Sequence, residues 1–118
     1  MSRLTKSFSY AGQGLWHCIK KEKNFQLHCI AAVITVLAGF ILKIAAVEWM
    51  IIIICITMVI ALEMINTAIE HCCNILQPDF HPMVKIIKDV SAAAVLITAA
   101  MAAVCGAIIF IPKIIMYL

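Results

Sequence analysis

Three long apolar stretches, separated by short polar segments, dominate the hydrophobic pattern of this chain. They cover residues 29–47, 49–70 and 90–111, and the third holds no charged residue at all. At about 1.5 Å per residue, each is long enough as a helix to cross a bilayer core of roughly 30 Å. The pattern predicts three transmembrane helices, with a turn around Lys43 and Glu48, a polar loop near Pro78 and a last helix that ends at Pro112.

The first 28 residues follow a different pattern, in which basic side chains alternate with apolar ones. One apolar stripe recurs at helical spacing and consists of Leu4, Phe8, Ala11, Leu15 and Ile19. A basic amphipathic helix of this kind suits the membrane interface, where Tyr10 and Trp16 would lie at headgroup level. Residues 1–28 are therefore predicted to form an interfacial helix, which is compatible with packing against the other helices.

The composition removes most other classes of protein. Of 118 residues, 65% are hydrophobic and 13% are charged. Soluble domains typically have roughly 45–50% apolar residues and about 25% charged residues. These values exclude a soluble globule, a disordered chain and a multidomain protein, and a net charge of +3 is too small to indicate a nucleic-acid binder. The six cysteines are expected to be reduced thiols without a metal or redox role. Residues 1–118 are predicted to form one all-α integral membrane domain.

The placement of the basic residues predicts the orientation in the membrane. Five lie in the N-terminal segment and two, Lys85 and Lys88, in the loop at 71–89, against only Lys43 and Lys113 on the other side. Because cytoplasmic segments carry the excess of Lys and Arg, the N-terminus and this loop should be cytoplasmic and the C-terminus outside.

Polar residues within the second apolar stretch are the first candidates for chemistry. Glu63, Asn66, Thr67 and Glu70 stand at i, i+3, i+4 and i+7, on one face of a helix. Glu63 follows 14 uncharged residues, and a carboxylate inside the hydrocarbon costs about 2.5–3.5 kcal/mol. Such a residue is a functional candidate; a helix end that emerges into water would explain Glu70, but explains Glu63 less well.

Two further acids, Glu22 and Asp89, are predicted on the same cytoplasmic side, together with most of the lysines. Carboxylates with nearby lysines suit Mg²⁺ and phosphate, although a solvated rim of charges has the same composition. The sequence has no P-loop or protein-kinase motif, since the only Gly-rich stretch is Gly12-Gln-Gly14. The four histidines show no zincin spacing and are expected to be structural or interfacial.

The polar motifs resemble those of the bacterial membrane diacylglycerol kinase/undecaprenol kinase family. The segment ALEMINTAIE at residues 61–70 resembles the family signature, and KD at 88–89, SAAAV at 91–95 and EKNFQLH at 22–28 agree with it. The resemblance covers nearly the whole chain. It implies a homotrimeric lipid kinase with three membrane spans, whose active sites are shared between subunits at the cytoplasmic surface of the bacterial inner membrane.

The resemblance also implies roles for individual residues. Glu63 corresponds to the catalytic base and Asn66 to a polar residue that supports it, while Glu22 and Glu70 correspond to ligands of Mg²⁺ and so to part of the ATP site. The other positions that contact ATP in the family are Arg3, Tyr10, Asp79, Phe80, His81, Lys88 and Asp89. Asn74 is a departure, since many relatives have Asp there.

The acceptor lipid and two other classes of function stay open at this point. EKNFQLH at 22–28 and the His81-Pro82 pair look more like the undecaprenol kinase branch than the diacylglycerol kinase branch. A non-enzymatic assembly protein could associate through the small residues Ala99, Ala102, Ala103 and Gly106, but it has no use for buried acids. A proton channel or transporter is disfavoured, because no charged residue lies in the middle of a span.

Overall fold

The computed structural model describes residues 2–118 and consists of four helices in that range. They are α1 (Arg3–Lys21), α2 (Lys23–Ile41), α3 (Ala46–Leu76) and α4 (Pro82–Tyr117). The last three are long and apolar enough to cross a membrane, as predicted. Their many β-branched residues do not prevent helix formation, because a helix satisfies every backbone polar group within the segment, which a bilayer demands.

The amphipathic region is shorter than predicted, because the chain turns a corner at Glu22. This residue has extended backbone angles and separates α1 from α2, so the first span begins at Lys23 rather than at residue 29. The side-chain amide of Gln26 closes the corner by donating to the carbonyls of Ile19, at 2.8 Å, and Lys20. It thereby satisfies carbonyl groups that the end of a helix leaves without partners.

Helix α2 also ends earlier than predicted, at Ile41, and a short turn leads into α3. Lys43 has a positive φ of 53° in this turn. Glu48 belongs to the first turn of α3, where its carboxylate accepts a hydrogen bond from the amide of Ala45 at 2.9 Å. An acid in this position also interacts favourably with the helix dipole.

The prediction that the last helix ends at Pro112 is wrong. Helix α4 begins at Pro82, continues through Pro112 and ends at Tyr117, 36 residues in all. Proline removes one backbone hydrogen bond, but its fixed φ is compatible with helical geometry, and membrane helices tolerate such interruptions.

The packed interior of this structure is small and lies at the end of the bundle away from α1. Ile44, Ile52 and Ile109 are buried there against Trp49 and Phe110. Helix α3 forms the main contacts, packing against both α4 and α2, while α1 contacts α2. Most large apolar side chains along the outer faces of the helices are exposed, as expected for surfaces that face lipid or other chains.

Candidate active site

The polar face predicted on α3 is the face that the other helices bury. Glu63 and Asn66 are each 4% exposed and Thr67 is 5% exposed, whereas Glu70, one turn further, is half-buried. The spacing i, i+3, i+4, i+7 places all four side chains along one side of the helix. A helix end that simply emerges into water would not bury a carboxylate to this degree.

Glu63 faces a histidine of the neighbouring helix. The Nε2 atom of His28, in α2, lies 3.7 Å from a carboxylate oxygen of Glu63. The carboxylates of Glu22 and Glu70 are within electrostatic reach of Glu63 as well. Glu22, at the α1–α2 corner, and Glu70, in α3, therefore both lie near Glu63.

Asn66 is hydrogen-bonded to Glu70 through its amide nitrogen, while its amide oxygen has no partner in the described part of the chain. Its Nδ2 donates to Oε1 of Glu70 at 3.2 Å. Its Oδ1 is buried and has no hydrogen-bond partner within residues 2–118. Because a buried acceptor without a partner is costly, this atom is suited to receive a hydrogen bond from a bound molecule.

Glu22 is held at the corner by two histidines. His71 Nε2, in α3, lies 2.9 Å from Oε1 of Glu22, and His17 Nε2, in α1, lies 3.6 Å from the same atom. Sequence reasoning assigned the histidines no such role. His17 and His71 are far apart along the chain, so only the packing of α1 near α3 shows that they share one carboxylate.

A buried thiol lies behind this cluster. Cys18, in the last turns of α1, is 5% exposed. Burial, followed by the negative charges of Glu22 and Glu63, raises the pKa of its thiol. All six cysteines are free, in agreement with the expectation of reduced thiols, and Cys18 should be inert because the neutral thiol is a poor nucleophile.

The structure brings together only some of the residues predicted to contact ATP. Asp79, Phe80, His81 and Lys88 line one hollow of about 310 Å³ between the α3–α4 loop and the start of α4. Arg3 and Tyr10 are exposed on α1 and do not line this hollow.

Two lysines at the start of α4 already have partners. Lys88 donates to Oδ1 of Asn74 at 2.5 Å, so its ammonium group is held by the end of α3. Lys85 pairs with Asp89 at 2.6 Å, one turn apart on the surface of α4.

An apolar groove of about 340 Å³ runs from this site into the membrane region. It begins beside His28, passes Val59 and ends at Phe110 of α4, and apart from Phe110 the α4 wall consists of small residues. These are Ala99, Ala102, Ala103 and Gly106. A methyl group added at Gly106 would meet no atom within 4 Å, so the groove is open at that point.

The acidic cluster is chemically suited to a divalent cation. Glu22 and Glu70 both act electrostatically on the buried Glu63, so a cation bound among these acids would offset unfavourable like-charge interactions. Mg²⁺ is commonly bound by one or two carboxylates together with substrate phosphates. The predicted pair of metal ligands, Glu22 and Glu70, meets this requirement by donor type.

The chain is similar in sequence to known bacterial lipid kinases. The undecaprenol kinase of Bacillus subtilis is 40% identical over 113 residues, which cover 96% of this chain and 92% of the relative. A diacylglycerol kinase of Synechocystis is 30% identical over 92% of this chain and 63% of its own length. One from Helicobacter pylori is 33% identical over 80% of this chain and 74% of its own length.

The family model described as "Prokaryotic diacylglycerol kinase" matches residues 9–110, which include the α1–α2 corner, all of α3 and most of α4. With the buried acids of α3 and three helices that could span a membrane, the chain belongs to this family of lipid kinases.

Proposed function

We propose that this protein transfers the terminal phosphoryl group of ATP to a membrane lipid alcohol, and that undecaprenol is the acceptor. The observation that carries the proposal is the buried carboxylate of Glu63, which lies beside His28 where the apolar groove begins. The relative named undecaprenol kinase, 40% identical over almost the whole chain, supports the choice of lipid.

In this proposal Glu63 is the general base. A lipid hydroxyl at the edge of the hydrocarbon would approach Glu63 from the groove. The carboxylate would accept its proton as the oxygen attacks the terminal phosphorus of ATP, whose bond to the bridging oxygen breaks so that ADP leaves. Asn66 would hold the site in shape through its bond to Glu70, and its free Oδ1 would accept a hydrogen bond from the substrate. The lipid tail would stay in the bilayer throughout.

Glu22 and Glu70 would hold Mg²⁺. When bound, the ion would supply positive charge that offsets the charge on the phosphates of ATP. The convergence of both carboxylates on Glu63 supports this assignment, since the ion would also relieve the repulsion among the three acids. Glu22 would have to turn away from His71, with which it pairs in this structure.

For ATP, we infer that the hollow lined by Asp79, Phe80, His81 and Lys88 receives part of the nucleotide. The remaining contacts would come from Asp89, and from Arg3 and Tyr10 on α1. Because the latter two lie outside the hollow, we propose that they reach ATP in a homotrimer, in which neighbouring chains share a site. The exposed apolar faces of the helices provide surface for such an assembly.

We further propose that the chain lies in the bacterial inner membrane with a cytoplasmic N-terminus and that α1 lies along the interface. The apolar side chains Leu4, Phe8 and Leu15 of α1 are exposed in the single chain, so lipid could cover them. The same orientation places Glu22, Glu63 and Glu70 on the side of the membrane where ATP is available.

The experiment that tests the proposal offers undecaprenol and diacylglycerol separately to the purified protein, in detergent micelles with labelled ATP and Mg²⁺. Faster phosphorylation of undecaprenol supports both the activity and the acceptor. A preference for diacylglycerol, the named substrate of the Synechocystis and Helicobacter relatives, would overturn the choice of acceptor only. Phosphorylation of neither lipid would favour the non-enzymatic assembly protein instead.

The groove provides a second test of the acceptor. Gly106→Leu would fill space that is open in this structure and should raise the KM for a lipid chain that lies in the groove, with little effect on kcat. If Gly106→Leu leaves the KM unchanged in an intact trimer, the lipid chain binds elsewhere. Loss of the trimer would instead identify the groove as a contact between copies.

A further inference from the structure

We propose that His17, Glu22 and His71 form a binding site for Zn²⁺, or for a chemically similar borderline divalent ion, which competes with Mg²⁺ for Glu22. The three residues come from α1, from the α1–α2 corner and from α3. The competition with Mg²⁺ rests on the role proposed above for Glu22, whereas the site itself does not.

The distances fit such a site. One ligand atom from each residue can be chosen so that all three lie within 4.8 Å of one another. Oε1 of Glu22 is 2.9 Å from Nε2 of His71 and 3.6 Å from Nε2 of His17. Neighbouring ligand atoms around a tetrahedral zinc ion with bonds of about 2.0–2.1 Å lie about 3.3 Å apart. Small side-chain rotations would therefore complete the geometry.

The donor set selects the class of metal. Two imidazole nitrogens and one carboxylate oxygen suit Zn²⁺ and other late first-row ions, whereas Mg²⁺ requires oxygen ligands. The histidine rings also have the freedom to adjust: their centroids are 5.9 Å apart with the planes at 71°, and both side chains are about half exposed. The open side leaves a fourth position for water or phosphate.

The position of the site predicts that a bound zinc ion affects kinase activity. Glu22 is the shared residue, and Glu22 together with Glu70 was assigned to Mg²⁺. A zinc ion held by the two histidines would occupy the same carboxylate oxygen that now contacts His71. Zinc should then inhibit the kinase, and added Mg²⁺ should reduce the inhibition.

The direct test measures metal binding without reference to activity. The purified full-length chain in micelles, with any affinity tag removed, is titrated with Co²⁺ while the visible absorption of the bound ion is recorded, and Zn²⁺ is then added to displace it. We expect about one ion per chain, and Kd values raised by about tenfold or more in His17→Gln and His71→Gln, because each removes one of three ligands.

Two controls make the test specific. His81→Gln removes a histidine that caps α4 by accepting from the amide of Met83, and it should bind Co²⁺ like the wild type. Cys72→Ser removes the exposed thiol next to His71 and should also bind normally. Wild-type affinity in both His17→Gln and His71→Gln, or a loss of binding in Cys72→Ser alone, would overturn the site.

Lipid phosphorylation then tests the competition. We expect micromolar Zn²⁺ to raise the Mg²⁺ concentration needed for half-maximal activity, and this effect to disappear in His71→Gln. Zinc binding in a protein without kinase activity would contradict the proposed function and leave the site standing. An active kinase that binds no zinc would contradict the site alone, and inhibition that Mg²⁺ cannot relieve would contradict the shared carboxylate.

Discussion

His28 Nε2 lies 3.7 Å from a carboxylate oxygen of Glu63, so a polar group of α2 faces the most deeply buried acid of α3. A carboxylate at the edge of the hydrocarbon is costly unless charged or polar groups accompany it. His28 is such a group, and it also stands at the mouth of the apolar groove. Helices α2 and α3 together therefore build the point where a lipid hydroxyl and a proton acceptor would meet.

The first prediction concerns Glu63→Gln, which keeps the size of the side chain but removes the proton acceptor. Turnover should fall by about 10²–10⁴-fold, the usual contribution of a general base, while ATP binding persists. Stability should stay the same or rise, because a buried charge is removed. Lipid phosphorylation and thermal unfolding are measured on the same preparation.

Glu48→Gln is the matched control for this variant. It makes the same change at the other end of α3, away from the acidic cluster, so activity per folded molecule should be retained. Near-normal turnover in a well-folded Glu63→Gln protein would contradict the mechanism. A loss of activity only in proportion to a loss of folded protein would indicate a structural role.

The second prediction concerns Glu22 and Glu70, the proposed ligands of Mg²⁺. Glu22→Gln and Glu70→Gln each remove one hard, charged oxygen ligand, so the Mg²⁺ concentration for half-maximal activity should rise and the maximal rate should fall. Glu70→Gln should fold normally, since Gln can still accept the hydrogen bond from Asn66. A variant that keeps wild-type activity at limiting Mg²⁺ has not lost a ligand.

The spans and the polar face of α3 could be predicted because both depend on local periodicity. Apolar length predicts a membrane helix, and the spacing of Glu63, Asn66 and Glu70 places them on one face whatever the helix packs against. The ends of the helices could not be predicted as well. The end of α1 depends on the side chain of Gln26, and α4 continues through Pro112.

The histidine contacts could not be predicted because they join distant parts of the chain. His71 and Glu22 are 49 residues apart and meet only when α3 packs beside the α1–α2 corner. The same is true of His28 and Glu63. A pattern of sequence spacing can show metal ligands on one helix, but not ligands that three elements contribute.

The third prediction compares two glycines of the membrane helices. A Cβ at Gly39 would lie 2.7 Å from Cη2 of Trp49, whereas one at Gly106 would meet nothing within 4 Å. Gly39→Ala should therefore destabilise by about 1–3 kcal/mol through overpacking. Gly106→Ala should stabilise by up to about 1 kcal/mol through helix propensity. Thermal unfolding in one detergent checks both, and equal stability of the two variants would contradict the packing of Trp49.

The fourth prediction concerns the ion pair between Glu48 and Lys113, which joins the start of α3 to the end of α4. The closest nitrogen–oxygen distance is 2.9 Å, and each side chain is about one quarter exposed. Partial exposure limits its strength, so a double-mutant cycle with Glu48→Gln and Lys113→Met should give a small favourable coupling. The coupling should decrease at high salt. A coupling of zero at low salt would mean that the pair does not hold these helix ends together.

The fifth prediction tests the orientation, which follows from the seven-to-two distribution of basic residues. Cysteine is introduced at Gln77, in the α3–α4 loop, or at Lys43, in the α2–α3 turn, in a Cys72→Ser background because Cys72 is exposed near the loop. In intact cells a membrane-impermeant maleimide should modify Lys43→Cys and leave Gln77→Cys unmodified; after permeabilisation both should react. The buried, weakly acidic Cys18 should contribute no background in either state. Labelling of Gln77→Cys in intact cells would show that the orientation is the opposite of the predicted one. The acidic cluster would then lie on the side of the membrane that lacks ATP, which would contradict the proposed kinase as well.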